Sequence, residues 1–308
     1  MNRVVLLSSD VDMTGLAEAI HHAAPELELF VQGQGGADNA EIAVCWNAPH
    51  GALARLQNLR LIHSIAAGVD HIYADPLAPD VPVCRVVDPG LKRGMAEYVM
   101  WGVLNYHRCF DLTHAHQRVN HWITPMQTPA AQRKIGVMGL GELGGYVATQ
   151  LAGLGFDVRG WARSPKTLEG VSTWAGASGF NGFLDRLDCL ICLMPLTSET
   201  QSILNTLTFA RLSQGAVLIN CGRGGHLVVD DLLAALESGQ LRGALLDVFD
   251  EEPLAHSSPL WQTKGITITP HMASSASNDV IASQVIENIE RLVRGKPLKN
   301  RVGGAQCY

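Results

Sequence analysis

The sequence predicts an α/β chain of two domains, each a mostly parallel sheet covered by helices. Short apolar runs alternate with amphipathic stretches over most of its length, one long helical segment interrupts that alternation, and the alternation then restarts. At 308 residues the chain also exceeds what a single hydrophobic core usually organises. Residues 1–94 with 275–308 are expected to form the first domain and residues 95–274 the second, the long linking helix included.

In the first domain the run Val4 to Leu7 reads as strand, Leu16 to Ala24 as helix, and Leu27 to Val31 and Ile42 to Trp46 as strands. Leu53 to Leu56 follows as helix, then Leu59 to Ile65 and Val81 to Val86 as strands. Met95 to Gln117 contains no proline and carries Val99, Val103, Leu104 and Tyr106, so it reads as one helix. After Pro125 and Pro129 the pattern resumes with strand Ile135 to Met138, helix Leu143 to Leu154 and strand Phe156 to Trp161. Further strands are expected at Cys189 to Met194, Ala216 to Asn220, Gly243 to Phe249 and Ile266 to Thr269, with a helix from Asp230 to Ser238 stopped at Gly239. A last helix, Asn278 to Arg294, comes after the second domain is complete and is expected to fold back on the first.

Composition excludes several classes of function. The chain is 47% hydrophobic and 17% charged, the balance of a folded globular protein with no long disordered tail. Its net charge of −6, with no Lys/Arg run, argues against a nucleic-acid partner. Four apolar residues follow Arg3, too few for a signal-peptide core, and no apolar stretch reaches a membrane-spanning length, so a cytoplasmic location is expected. Seven irregularly placed cysteines do not form a disulfide framework, and Cys189 and Cys192 sit inside an apolar run where a core role outweighs a redox one. The histidines show no metal-ligand spacing, and no metal is expected.

The chemistry-bearing segments lie in the second domain. Gly139-Leu140-Gly141-Glu142-Leu143-Gly144 directly follows a strand and opens a helix. There the first glycine makes the tight turn, the second lets backbone reach a pyrophosphate, and the third packs helix on strand, so a dinucleotide site is expected. About twenty residues on, where an NAD site usually presents an acid to the ribose, the chain reads Arg163-Ser164-Pro165-Lys166. Arg163, Ser164 and Lys166 can donate to a ribose 2′-phosphate, which predicts NADPH as the preferred cofactor with NADH possible; a solvated basic turn is the competing reading.

Three later strands end in Asn220-Cys221-Gly222-Arg223-Gly224, Asp247-Val248-Phe249-Asp250-Glu251-Glu252 and Thr269-Pro270-His271. All three lie at the carboxyl edge of the sheet, where open α/β sheets bind ligands. Reducing a keto acid requires a cation for the carboxylate and developing oxyanion, a proton donor, and a group that keeps the donor charged. Arg223, His271 and Glu252 are of those three types, a carboxylate favouring the charged form of a neighbouring imidazole.

The sequence resembles the D-isomer-specific 2-hydroxyacid dehydrogenase family, and within it the glyoxylate/hydroxypyruvate reductase group. Besides the segments above, Ala67-Gly68-Val69-Asp70-His71-Ile72, Leu193-Met194-Pro195-Leu196-Thr197, Leu246 to Phe249, Glu252-Pro253-Leu254 and Pro259-Leu260-Trp261 carry the likeness, and it departs at Ser274-Ser275 after the histidine. The resemblance implies two Rossmann-like domains, a flavodoxin-like substrate domain and a dinucleotide-binding domain. It implies that Arg223 binds and polarises substrate, that Glu252 pairs with His271, and that His271 exchanges the proton. It implies further that Gly139, Gly141, Glu142, Leu143, Gly144, Met194, Pro195, Cys221 and Gly222 line the cofactor site and that Asp247 meets the nicotinamide carboxamide. Backbone N–H groups at Ala67 and Gly68 are implied to hold the substrate carboxylate. Trp46, ending a strand of the first domain, either shapes the substrate pocket or is a packed core residue. The implied activity is NADPH-dependent reduction of glyoxylate to glycolate and of hydroxypyruvate to D-glycerate by a homodimer. The rivals are a different hydroxyacid substrate, or a nucleotide-sensing interaction protein built on the same fold.

Overall fold

A computed structural model describes residues 2–302. The chain forms two compact units, one from residues 2–91 with 275–302 and the other from Lys92–Ser274. The first unit opens with β1 (Arg3–Ser8), α1 (Thr14–Ala23), β2 (Glu28–Val31), β3 (Ile42–Trp46), β4 (Leu61–Ser64), the one-turn α2 (Asp70–Tyr73) and β5 (Val83–Cys84). These strands pair in parallel in the order β2-β1-β3-β4-β5, the flavodoxin-like arrangement. Val4, Val5, Leu6 and Leu7 are all buried, because the central strand of a sheet covered on both faces has no solvent side and so no polar alternation.

Several expected elements are shorter than their apolar runs. Leu53–Arg55 is a single 3-10 turn and not an α-helix. The runs 59–65 and 81–86 shrink to Leu61–Ser64 and Val83–Cys84. Val86 and Leu59 remain buried beyond the ladders, so an apolar side chain there reports packing and not strand pairing.

Helix α3 (Pro89–His107) carries the chain from the first unit into the second. The expected single helix from Met95 to Gln117 is broken: α4 (Phe110–Arg118) starts afresh after Cys109, which adopts a left-handed backbone with φ of 59°. The cause is tertiary. Arg242 donates from Nη2 to the Tyr106 carbonyl at 2.7 Å and pairs through Nε with Asp111 at 3.4 Å, bridging the two sides of the break, while the same carbonyl accepts Cys109 N at 3.1 Å in a tightened last turn.

The second unit then runs β6 (Lys134–Met138), α5 (Glu142–Gly153), β7 (Asp157–Ala162), β8 (Val171–Ala175), α6 (Gly176–Leu184), β9 (Cys189–Cys192), α7 (Thr206–Phe209), β10 (Ala216–Asn220), α8 (Val229–Glu237), β11 (Leu241–Leu246) and β12 (Ile266–Ile268). Its strands are parallel in the order β12-β11-β10-β9-β6-β7-β8. Relabelled from β6, the arrangement is the Rossmann order 3-2-1-4-5-6 extended by one strand. The switch point falls between β6 and β9, so ligand chemistry belongs at the ends of those strands and their neighbours. Strand β8 and helix α6 escaped the sequence reading, since Val171–Ala175 lies at the sheet edge with mostly half-buried residues and α6 carries three glycines. The apolar tails 193–194 and 247–249 leave the ladder, although Met194 and Val248 stay buried. Cys189 and Cys192 are buried core thiols, and burial pushes that of Cys192 up to about 12.

The chain returns to the first unit as α9 (Asn278–Val293), packed on α1, and β13 (Arg301–Val302), which pairs antiparallel with β5. Ile281, Val285 and Ile289 form the buried stripe of α9, and the Ser277 hydroxyl caps it by accepting from Val280 N. Among the described residues no helix is long and apolar enough to cross a membrane.

Candidate active site

The glycine turn joins β6 to α5. Gly139 has φ of +94°, and a Cβ there would sit 2.8 Å from the Leu193 carbonyl oxygen. A Cβ on Gly144 would meet the Gly139 carbonyl oxygen at 1.8 Å, so no side chain fits between helix and strand. Gly141 contrasts with both, since nothing lies within 4 Å of its Cβ position and it is exposed at the N-cap of α5. Two glycines thus close the turn and the third holds open a space before a helix N-terminus, whose first-turn amides have no partner within the helix. That is the shape and polarity a pyrophosphate requires, and Glu142 and Leu143 begin the helix beside it.

Neighbouring strand ends converge on this turn. Gly139 N donates to the Trp161 carbonyl at 2.8 Å, which ties it to the end of β7, where Arg163, Ser164 and Lys166 follow as exposed residues. Within electrostatic reach is an acid absent from the sequence argument. Glu199 sits below the usual carboxylate range, first through a hydrogen bond from Thr197 and, least, through the Arg163 charge. Met194 lies against Gly139 at the end of β9, and Cys221 N donates to the Cys192 carbonyl at 3.1 Å, bringing the Cys221-Gly222 segment alongside.

The histidine and the glutamate meet. His271 Nδ1 lies 2.8 Å from Glu252 Oε2, and Glu252 Oε1 accepts the Phe249 amide at 2.8 Å. Each carboxylate oxygen therefore has a distinct partner. Because an ionised carboxylate only accepts, Nδ1 carries the hydrogen in this pair.

His271 stands in a left-handed backbone conformation, φ of 51°, uncommon for a residue with a Cβ and costly unless its surroundings enforce it. Asp247 enforces it. Its backbone carbonyl accepts His271 N at 2.9 Å, Oδ1 accepts Met272 N at 2.8 Å and the Thr269 hydroxyl at 2.7 Å, and Oδ2 accepts Ala273 N at 2.9 Å. Thr269 having donated to Asp247, the Tyr98 hydroxyl donates to Thr269 at 2.5 Å. Burial raises the Asp247 carboxyl above its ordinary range, opposed by the hydrogen bonds from Thr269, Ala273 and Met272. Asp247 is thus the frame of the histidine turn, a role sequence spacing did not suggest.

Arg223 is half-buried after β10 in extended backbone, with Nη1 donating to the Gly222 carbonyl at 2.7 Å. The next residue sets its place. A Cβ on Gly224 would fall 1.9 Å from the Phe249 carbonyl carbon, so the arginine turn lies directly against the loop whose Phe249 amide holds Glu252. Sequence reasoning passed over His226, which is fully buried beneath this turn. Its position three residues after the arginine was the one available signal, and hydrophobic periodicity does not register it.

In the first unit, the segment after β4 is organised around Ser64. Its hydroxyl donates to the Gly68 carbonyl at 2.8 Å and accepts from Ala66 N at 3.1 Å, with His71 Nε2 also at 3.1 Å. Arg85 donates to the Ala67 carbonyl at 3.2 Å. Ala67 and Gly68 are thereby held half-buried on a braced loop. Trp46 is also half-buried, its ring 4.7 Å from that of His71.

A flavodoxin-like unit, a Rossmann unit with an open glycine turn, and a paired histidine and glutamate at its strand ends define a dinucleotide-dependent oxidoreductase class. The family model for the D-isomer specific 2-hydroxyacid dehydrogenase NAD-binding domain matches residues 100–273. Glyoxylate/hydroxypyruvate reductase A of Serratia proteamaculans is 40% identical over 292 residues, 92% of this chain and 91% of that protein. A solved structure of a family protein from Klebsiella pneumoniae superposes with a TM-score of 0.92 at 48% identity, covering 98% of this chain and 97% of the other. An NADPH-dependent glyoxylate/hydroxypyruvate reductase from Sinorhizobium meliloti, solved with NADP and sulfate, gives 0.90 at 36% identity over 100% of both chains. This chain belongs to the D-isomer specific 2-hydroxyacid dehydrogenase family and is an NAD(P)-dependent oxidoreductase.

Proposed function

We propose that this protein reduces small 2-keto acids with NADPH, turning glyoxylate into glycolate and hydroxypyruvate into D-glycerate. The observation that carries the reading is the His271–Glu252 pair at 2.8 Å, on the same sheet edge as the open glycine turn. The kinship with the Serratia and Sinorhizobium reductases supplies the substrate class.

Lys92–Ser274 is the dinucleotide-binding domain and the other unit the substrate domain. The Gly139–Gly144 turn holds the pyrophosphate, Arg163, Ser164 and Lys166 donate to the ribose 2′-phosphate, and Met194, Pro195, Cys221 and Gly222 line the remainder. The bound nicotinamide supplies the hydride. Arg223 attracts the substrate carboxylate and stabilises negative charge growing on the carbonyl oxygen, and amides at Ala67 and Gly68 bind the carboxylate. His271 gives that oxygen the Nε2 proton, while Glu252 holds the ring orientation through Nδ1. Asp247 meets the carboxamide edge of the cofactor in addition to framing the histidine turn. Trp46 borders the substrate pocket.

The protein acts as a homodimer. Trp101, Phe110, Val119, Trp122 and Met126, from α3, α4 and the segment after it, expose large apolar side chains in one stretch of the second unit, Trp122 by 98% and Met126 by 90%. Patches of this kind mark association surfaces. The activity is tested by steady-state oxidation of NADPH and NADH against glyoxylate, hydroxypyruvate, pyruvate and longer branched keto acids. Turnover is expected with glyoxylate and hydroxypyruvate and with NADPH, and cofactor binding without turnover on any of the keto acids refutes the enzymatic reading.

A further inference from the structure

We propose that His226 is a positioning residue for Arg223, its imidazole tying the arginine's backbone to the Pro195 segment. This rests on the reading of Arg223 as the substrate's cation. His226 closes the single 3-10 turn Gly224–His226 and has no exposed surface, and a buried imidazole is costly unless both nitrogens are engaged. They are. Arg223 N donates to Nδ1 at 3.0 Å, and Nε2 lies 3.2 Å from the Pro195 carbonyl oxygen. An amide N–H can only donate and a carbonyl can only accept, so the ring hydrogen resides on Nε2 and the imidazole is a neutral two-ended strut. Nδ1 also lies 3.1 Å from the Arg223 carbonyl oxygen, but that oxygen is already served by Asn220 Nδ2 at 3.2 Å and His226 N at 3.3 Å.

Both anchor points are themselves fixed. The Pro195 carbonyl accepts the Thr200 hydroxyl at 2.9 Å, and the Arg223 turn abuts the Phe249 backbone through Gly224. The arginine turn is therefore clamped between the Pro195 segment, reached through the imidazole, and the loop that holds Glu252. With the imidazole removed, the Arg223 amide loses its tie to the Pro195 segment. The guanidinium then shifts relative to the His271–Glu252 pair, and misplacement on the scale of an ångström costs about 10²-fold in rate.

The test compares His226→Leu, His226→Asn and His226→Gln in the full-length protein. Leucine fills the volume and removes both contacts. Asparagine can offer Oδ1 near the Nδ1 position and keep the Arg223 amide satisfied, whereas glutamine reaches toward Pro195 and leaves that amide without its acceptor. Affinity for oxamate, an unreactive isostere of a 2-keto acid, and the KM for glyoxylate report on the guanidinium, while NADPH affinity by fluorescence and Tm report on the fold. All three variants are expected to weaken oxamate binding and raise KM by roughly 10-fold or more with NADPH affinity little changed, since asparagine keeps only the Arg223 end of the strut and glutamine only the Pro195 end. Should the leucine variant fail to fold, asparagine and glutamine decide. Wild-type oxamate affinity in either of those two, or equal loss of oxamate and NADPH affinity, overturns the proposal. Arg223→Ala is run beside them: if it leaves oxamate affinity intact, the reading of Arg223 has failed, and the positioning role falls with it for a separately identifiable reason.

Discussion

Replacing Glu252 with glutamine tests the centre of the mechanism, because the structure dictates which way the new amide must face. Glu252 Oε1 accepts the Phe249 amide and Oε2 faces His271 Nδ1, both at 2.8 Å. A glutamine must keep its oxygen toward the Phe249 N–H, which can only donate, so its NH2 group turns toward Nδ1. The imidazole then has to accept there. Its hydrogen moves to Nε2 in the neutral tautomer, and the charge-assisted bond to the ring is lost. Hydrogen bonds to charged groups contribute about 1.5–3 kcal/mol, and about 1.4 kcal/mol is tenfold in rate, so kcat for glyoxylate reduction should fall by roughly 10- to 150-fold. The fold and the oxamate site should persist, since Phe249 keeps its acceptor and Arg223 is untouched. Steady-state NADPH oxidation beside oxamate binding makes the measurement. A glutamine enzyme that turns over within about twofold of wild type, with the histidine shown to remain in place, refutes the role given to the pair.

His63 is fully buried, with burial holding its pKa down to about 4; Nδ1 meets the Ser64 carbonyl at 2.9 Å and Nε2 lies 3.2 Å from Asn288 Nδ2 on α9. The unfolded chain binds a proton near 6.5 while the folded one does not, so stability declines as pH falls from about 6.5 toward 4, by ~3 kcal/mol in all. Urea midpoints at pH 7 and 4.5 should diverge less in His63→Gln than in wild type, and an identical divergence excludes His63 as the cause. Reversing charge with Arg163→Glu and Lys166→Glu together should raise the KM for NADPH by about 10- to 100-fold and leave NADH nearly unchanged, as expected for loss of charge-assisted contacts to a 2′-phosphate; parallel effects on both cofactors would show the two side chains to be solvated bystanders. Trp122→Ser with Met126→Ser should convert a dimer to a monomer in light scattering, and an unaltered mass would remove that apolar stretch from the interface.

Much of the fold was legible because parallel sheets covered on both faces leave plain marks. Unbroken apolar runs identified β1, β3, β6 and β10 closely, the last spanning Ala216–Asn220 as expected. The spacing of Val285 and Ile289 found α9, and its return to the first unit follows from where its stripe is buried. The reading failed where a local pattern met a distant partner. Nothing in Met95 to Gln117 announces a break, because the group that captures the Tyr106 carbonyl is Arg242, on a strand far along the chain. Strand β8 was hidden by its edge position, where packing constrains residue type weakly.

The site divides in the same way. The amino-acid sequence alone announced the glycine turn through its spacing after an apolar strand, and it placed an arginine, a carboxylate and a histidine after three later strands. Only the tertiary structure decided which oxygen of Glu252 meets the ring, how Asp247 holds His271 in a left-handed conformation, and that the His226 imidazole lies between the Arg223 amide and the Pro195 carbonyl. Those are matters of hydrogen-bond direction between strand ends that are adjacent in space and remote in sequence. One-dimensional spacing records which groups are present, but the direction of a hydrogen bond exists only after the sheet has brought its donor and acceptor together.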